Sequence, residues 1–139
     1  TIYSMLGEDD DAYIIARAIQ LFTPGIPQIY YVGLLAGANQ YQCAEQTGDG
    51  REINRYNYSV DEIHAALERD VVQRLIRLIR FRNEHPSFDG NFTAESVGEH
   101  ALILCWVNGD AASKLVIELG KKTAVITFNE KGVSAQLTL

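Results

Sequence analysis

Long apolar runs and an excess of basic residues are both absent from this sequence of 139 residues. No apolar run reaches the ~18 residues that a membrane-spanning helix needs, and no basic start followed by an apolar stretch marks a signal peptide. Lys and Arg number 12 against 18 Asp and Glu, a formal net charge of −6, whereas nucleic-acid binders concentrate basic residues in a stripe. The sequence therefore predicts no membrane partner and no nucleic-acid partner.

Cysteines and clustered metal ligands are also scarce. The two cysteines, Cys43 and Cys105, stand far apart, and Cys105 lies in an apolar run where a thiol packs as a small hydrophobic group. His64, His85 and His100 are not spaced as ligands and have no paired cysteine nearby. We therefore expect reduced thiols, no metal site, no cofactor and a cytoplasmic location. Apolar residues at 47% and charged residues at 22% are typical of a globular protein.

Helical periodicity followed by a short β-type run is found near the start. Residues 9–22 predict a helix that is apolar nearly all round, so that it must be covered by more than one neighbour. Residues 28–32, closed by Gly33, read as a buried parallel strand. A lone strand cannot pair its own backbone groups. We therefore expect that neighbouring strands are absent because a segment upstream of Thr1 has been removed.

The next part predicts a long connection and two helices. Residues 33–58 contain scattered Gly and no clear period, which makes the connection longer than the ~12–15 residues usual for a passive loop. Ser59 and Glu62 have the spacing of a capping box, which starts a helix. Residues 70–84 predict an amphipathic helix. Most of the arginines of this region fall on its polar side, and we interpret them as a solvated face: Arg69, Arg74, Arg77, Arg80 and Arg82.

The character of the sequence changes near residues 85–90, where short β-rich runs separated by Gly, Asn and Asp begin. Five strands are predicted, at about residues 91–96, 101–107, 114–119, 123–128 and 133–139. They predict a small antiparallel β-domain docked against the helix of residues 70–84. We place a domain boundary between residues 88 and 89.

Two motifs carry a family resemblance: PGIPQIYYVGLLAG at residues 24–37 and GREINR at residues 50–55. With the sequence around them, from residue 1 to about residue 90, they resemble sucrose phosphorylase and its close relatives in the α-amylase superfamily. The resemblance implies an α/β fold with an all-β tail. Residues 1–88 would be the C-terminal part of a (β/α)8 TIM barrel, with helix 7, strand 8, a long loop and helix 8, and residues 89–139 the C-terminal antiparallel β-domain.

The resemblance also implies a function, the conversion of sucrose and phosphate to α-D-glucose 1-phosphate and fructose by a retaining mechanism. The partners would be a small-molecule sugar, phosphate and the absent N-terminal barrel segment. The nucleophile and the acid/base of the family lie upstream of Thr1, so we expect no catalytic residue in this chain. Arg51, in the second motif, would line the glucosyl pocket; without the resemblance it reads as a solvated loop charge.

Several alternatives stay open. Tyr56 stands where many relatives have His, and relatives acting on sucrose 6′-phosphate or glucosylglycerate share most of the motifs. A non-catalytic carbohydrate-binding or structural module is the alternative of a different class. Asn54 and Arg55 read as structural residues that tie the loop to the barrel rim. The tyrosines at positions 30 and 31 read as core packing, and residues 48–51 lack the ending of a phosphate-binding loop.

Overall fold

The computed structural model describes residues 1–130 and 132–139. Six α-helices occupy the first part of the described chain, with short 3-10 turns between or after them. The helices are α1 Ile2–Met5, α2 Asp10–Phe22, α3 Tyr31–Leu34, α4 Tyr41–Thr47, α5 Val60–Leu67 and α6 Asp70–Glu84, and the 3-10 turns are Gly50–Asn54, Pro86–Asp89 and Leu119–Lys121. None of the helices described here combines the length and the hydropathy needed to cross a bilayer.

The second part is one antiparallel sheet in which each strand pairs with the next along the chain, in the order β1-β2-β3-β4-β5. The strands are β1 Asn91–Val97, β2 Ala101–Asn108, β3 Ala111–Glu118, β4 Thr123–Glu130 and β5 Val133–Thr138. Alternation places Leu104, Leu115 and Ile126 side by side on the buried face. The five predicted strands are confirmed to within a few residues.

Local signals position the helices as predicted. The Asp9 carboxylate caps α2 by accepting from the amide of Ala12 at 2.9 Å. The capping box of Ser59 and Glu62 is present at the start of α5. Helix α6 has the bounds predicted from its amphipathic period. The starts of α2 and α5 are thus encoded within one turn of the chain, whereas α6 begins at Asp70 without a side-chain cap.

A single hydrophobic core runs from the helices into the sheet. Trp106 donates from Nε1 to the carbonyl oxygen of Phe22 at 2.7 Å, which ties β2 to the end of α2. Phe81 on α6 lies against Phe128 of β4, with ring centroids 4.9 Å apart. The sheet thus packs on α2 as well as on α6, the helix that the sequence predicts as its docking partner.

The predicted strand at residues 28–32 is wrong for this chain. Tyr30 is extended, with φ −72° and ψ 149°, but the chain then enters helix α3 at Tyr31. The Gln28 carbonyl accepts from the side chain of Gln20 at 2.8 Å rather than from a neighbouring strand. A strand requires a partner, and the described sheet contains only β1 to β5. Pairing of this segment within a longer barrel stays a prediction.

The connection of residues 33–58 is more ordered than predicted. It contains α3, α4 and the Gly50–Asn54 turn. Gly48 ends α4 in the left-handed conformation, with φ +70°, as glycine does at many helix C-termini. The sequence gives no clear period here because each helical piece is only one or two turns long.

Candidate functional site

Arg51, the predicted binding residue, lies in the 3-10 turn Gly50–Asn54. The Asp49 carboxylate accepts from the Arg51 amide at 2.9 Å, which fixes the backbone at the start of the turn. The Arg51 side chain is exposed. Within residues 1–130 and 132–139 its guanidinium has neither a hydrogen-bond acceptor nor an ion-pair partner. The turn therefore presents a free cationic fork with five donors.

Backbone contacts hold this turn against the rest of the chain. The amide of Gln40 donates to the carbonyl of Ile53 at 2.8 Å, which joins the residue before α4 to the turn that follows it. The amide of Asn39 donates to Ser4 Oγ at 2.8 Å and so ties the same segment to α1. Since both bonds are independent of Arg51 itself, the side chain can be replaced without removing the support of the turn.

A cluster of tyrosines, which we call the tyrosine cluster, adjoins the turn and consists of Tyr30, Tyr31, Tyr56 and Tyr58. Ring centroids are 4.5 Å apart for Tyr30 and Tyr31 and 4.8 Å apart for Tyr56 and Tyr58. Tyr31 donates to the carbonyl of Tyr56 at 2.8 Å. Tyr30 is 56% exposed and Tyr31 is 39% exposed, so the predicted core-packing role is wrong for this chain. No strand in the described part of the chain pairs with the segment that carries Tyr30 and Tyr31.

Tyr56 is fixed by a charged acceptor. Its hydroxyl donates to Glu62 Oε1 at 2.6 Å, while Ser59 binds the other oxygen of Glu62. This hydrogen bond raises the pKa of Tyr56 and, with the bonds from Ser59, lowers the pKa of Glu62. The residue after the GREINR motif is thus joined to the capping box of α5.

Arg69 supports the start of the connection from the opposite side. Its Nη1 donates to the carbonyls of Leu35 and Ala36 at 3.2 and 3.1 Å, and its Nη2 donates to Tyr3 at 3.0 Å. Ala36 has φ +47°, in the left-handed region that costs a non-glycine residue about 1 kcal/mol or more. The interpretation of these arginines as one solvated face therefore fails for Arg69, which holds a strained turn in place.

Arg17 of α2 is buried beneath the same region, at 5% exposure. Its Nε donates to the Tyr13 hydroxyl at 2.9 Å, and Tyr13 in turn donates to the carbonyl of Gly33. Burial raises the pKa of Tyr13, and the Arg17 guanidinium opposes that rise. Arg17 and Asn54 line one shallow pocket, so the GREINR turn and α2 meet there.

The sequence alone indicated Arg51 as a binding residue, counted Arg69 among the arginines of a solvated face and gave Arg17 no role. The signal for Arg17 was available, since an arginine stands in the midst of a helix that is apolar nearly all round. No comparable signal exists for Arg69, because its acceptors are carbonyls more than 30 residues earlier in the chain. The predicted structural role of Asn54 and Arg55 stays a prediction.

Known proteins resemble the chain along nearly its whole length, although no family model matches it. The sucrose 6(F)-phosphate phosphorylase of Thermoanaerobacterium thermosaccharolyticum is 51% identical over 133 residues, which are 95% of this chain and 27% of that protein. The sucrose phosphorylase of Agrobacterium vitis is 49% identical over 91% of this chain and 26% of that protein. The glucosylglycerol phosphorylase of Marinobacter adhaerens is 45% identical over 94% of this chain.

The fold is shared with a solved structure. The crystal structure of sucrose 6F-phosphate phosphorylase from Thermoanaerobacter thermosaccharolyticum superimposes with a TM-score of 0.97 at 48% identity, over 100% of this chain and 28% of that one. The predicted fold class, helices and an antiparallel sheet forming the C-terminal part of a larger fold, is confirmed. The chain is a homologue of the sucrose phosphorylases and related phosphorylases, and it spans about 27% of the length of these relatives.

Proposed function

We propose that this member of the sucrose phosphorylase family is the C-terminal part of a longer retaining glycoside phosphorylase. The whole enzyme transfers a glucosyl group from sucrose to phosphate and yields α-D-glucose 1-phosphate and fructose. The three relatives described above are phosphorylases by name, and they match the chain over 91–95% of its length. That similarity is the observation that carries the proposal.

The proposed reaction has two displacements at the anomeric carbon. A carboxylate attacks that carbon while a carboxylic acid protonates the departing oxygen of fructose, and an oxygen of phosphate then displaces the carboxylate from the glucosyl intermediate. In this proposal both carboxyl groups belong to barrel strands upstream of Thr1. Residues 1–88 supply the last part of the barrel, and residues 89–139 supply the β-domain that covers it.

Arg51 is the residue that we assign to substrate binding. Its exposed guanidinium has no partner among the described residues, while its turn is held by Asp49 and by the bond from Gln40 to Ile53. A planar fork of this kind can donate to sugar hydroxyls and pair with a carboxylate of the pocket at the same time. The tyrosine cluster adjoins it and offers aromatic faces for the apolar side of a sugar ring.

The donor sugar is proposed as sucrose, with sucrose 6′-phosphate as the alternative. Proteins named for either donor match the chain at 49% and 51% identity, so identity does not separate them. Glucosylglycerate is a further alternative, since a glucosylglycerate phosphorylase from Escherichia coli is 36% identical over 70% of the chain. The experiment must therefore compare all three donors.

An independent carbohydrate-binding module is less well supported. Ile26 is 97% exposed and Tyr30 is 56% exposed in a segment without strand partners. Large apolar side chains in such a segment favour a protein in which further strands cover them. We also propose a cytoplasmic location, because Cys43 and Cys105 are both free thiols, as is usual in reducing compartments.

The test is to express the complete natural gene product that contains this segment and to assay release of α-D-glucose 1-phosphate. We expect release from sucrose, or from sucrose 6′-phosphate or glucosylglycerate, only when phosphate is present. Equal release of free glucose without phosphate would identify a hydrolase and contradict the proposal. A gene product no longer than these 139 residues would contradict it as well.

A further inference from the structure

Arg17 is a buried cation whose partners in this chain are all neutral. Its Nε donates to Tyr13 and its Nη1 donates to the side-chain oxygen of Gln20 at 2.7 Å. The four ion pairs formed among residues 1–130 and 132–139 do not include it. A guanidinium at 5% exposure is costly to bury without a counter-charge. Among the described residues, Arg17 therefore lacks the counter-charge that would offset the cost of its burial.

The remaining nitrogen, Nη2, lies at a shallow pocket. It lies close to Gly33, where a Cβ would be only 2.5 Å from Nη2. Arg17 lines this pocket together with Gln28, Tyr30 and Asn54. Nη2 forms none of the hydrogen bonds found in the described chain, and it is not among the nitrogens that are sealed from solvent. One edge of the guanidinium therefore remains available for a ligand or a side chain.

The composition of the pocket favours a carboxylate over a free phosphate. Apart from Arg17, its polar side chains are all neutral, those of Thr1, Gln20, Gln28, Tyr30 and Asn54. The amino group of Thr1 also lines it, and in a longer protein that nitrogen belongs to a peptide bond. A phosphate carries up to two charges and needs several cationic donors, whereas one open edge of a guanidinium is sufficient for a carboxylate. The pocket also lies along the extended, unpaired residues 28–30, where the next strand of a barrel would add.

We infer that Arg17 forms a buried ion pair with a carboxylate from a part of the phosphorylase that lies outside this chain. This inference rests on the proposed function, because it requires a longer protein. Arg17 would then be a positioning residue. It holds Tyr13, whose hydroxyl binds the carbonyl of Gly33 at the start of residues 33–58. The ion pair thus fixes the beginning of the connection that carries Arg51.

The test compares Arg17→Met in two proteins, the 139-residue chain and the complete gene product. Methionine keeps the unbranched stem but removes the charge. In the 139-residue chain the unfolding midpoint should stay the same or rise, since an uncompensated charge is lost. In the complete protein it should fall by about 3 °C or more, because a carboxylate is left buried without its partner. Arg80→Met, on the exposed face of α6, is the matched control and should change neither midpoint.

Two conditions identify the anion. In phosphate-free buffer the difference in unfolding midpoint between wild type and Arg17→Met in the complete protein should persist. The difference should become smaller below about pH 5, as the carboxylate of the unfolded state takes up protons. Tyr13, Tyr30 and the amino end at Thr1 are the titratable groups that face Arg17 in this chain, and none of them is a carboxyl group. If Arg17→Met does not fold, Arg17→Lys is used in its place. Because lysine keeps the charge, its unfolding midpoint in the complete protein should differ from that of the wild type by only part of the fall expected for methionine.

The outcomes separate this inference from the proposed function. A difference that appears only after phosphate is added would identify free phosphate as the anion and overturn the ion pair. An equal fall of the midpoint in both proteins would also overturn it, since Arg17 would then act only through Tyr13 and Gln20. The midpoints need no sugar, so phosphorolysis of sucrose by the wild-type protein is judged on its own assay. A protein can thus pass either test and fail the other.

Discussion

The β-sheet and the helical part of this chain differ in how completely each pairs its backbone and buries its apolar and charged side chains. Every strand of the sheet pairs with its sequence neighbour, and Leu115, Ile117 and Ile126 are fully buried. The helical part contains an extended segment without strand partners, Ile26 at 97% exposure, and the buried cation Arg17. The sheet is thus a complete unit by local pairing, whereas the helical part has the surface of a structure that continues beyond this chain.

The largest expected effect is on activity. We predict that the 139-residue chain alone releases no α-D-glucose 1-phosphate from sucrose, because a retaining mechanism needs two carboxyl groups about 5 Å apart at the sugar. The complete gene product serves as the positive control under the same conditions. Release by the purified chain above the buffer blank would show that the helical part is self-sufficient after all.

The next prediction compares the loss of stability on truncating a buried residue of the sheet and an exposed residue of the helical part. Leu115→Ala should lower the free energy of unfolding of the chain by about 2–5 kcal/mol, since it opens a cavity beneath the sheet. Ile26→Ala should change it by no more than about 0.5 kcal/mol, because the Ile26 side chain is almost fully exposed and loses no core packing. Denaturant unfolding followed by circular dichroism measures both. Similar losses for the two variants would remove the contrast between the regions.

Arg51 tests whether the exposed connection is functional. In the complete enzyme Arg51→Ala should lower kcat/KM for sucrose about ten- to hundredfold, because a charged donor in a partly desolvated pocket contributes ~1.5–3 kcal/mol. Arg51→Lys should recover little, since a point charge cannot replace the planar fork. Circular dichroism should show an unchanged fold, as the turn is held by Asp49 and Gln40. Near-normal kcat/KM would reduce Arg51 to a rim residue.

The bond from Trp106 to Phe22 tests the contact between the two regions. Trp106→Phe leaves the buried carbonyl of Phe22 without its donor, and the expected loss of unfolding free energy is about 1–3 kcal/mol. Val107→Ala is the matched control on the same strand, because Val107 is 48% exposed. If Trp106→Phe were as stable as the control, the sheet would be docked by apolar contact alone.

The same difference between the sheet and the helical part explains which structural features can be predicted from the sequence. The five strands, the α5 capping box and the bounds of α6 are predictable because alternation, caps and periodicity act within a few residues. The strand at residues 28–32 is not realised because no strand among residues 1–130 and 132–139 pairs with it. The role of Arg69 depends on carbonyls more than 30 residues away, which no local pattern encodes. Arg17 binds Tyr13 and Gln20 within one turn of its own helix, and its position in an apolar helix is a signal that the sequence does carry. Arg51 was selected through the family resemblance and not through a local signal.

The smallest expected effect is a pH dependence at the exposed pair of Asp9 and Lys122, which joins the start of α2 to the end of the 3-10 turn before β4. Lys122 Nζ lies 2.6 Å from Asp9 Oδ2. The amide of Ala12 and then Lys122 lower the pKa of Asp9 below its usual value of 3.8, and Asp9 raises the pKa of Lys122 above 10.5. A lowered carboxylate pKa stabilises the fold above the unfolded pKa and is lost as the pH falls through the folded one. A raised lysine pKa stabilises below the unfolded pKa and is lost as the pH rises through the folded one.

Lys122→Ala should therefore lower the unfolding midpoint slightly between about pH 5 and pH 9, with the difference disappearing as the pH falls through the lowered pKa of Asp9. High salt should reduce the difference, because both side chains are exposed and their attraction is screened. Lys121→Ala is the control, since Lys121 pairs with Glu118 inside the β-region at 2.5 Å and does not connect the two regions. A Lys122→Ala difference that is independent of pH and salt would show that the residue acts through its left-handed backbone, at φ +51°, and not through the ion pair.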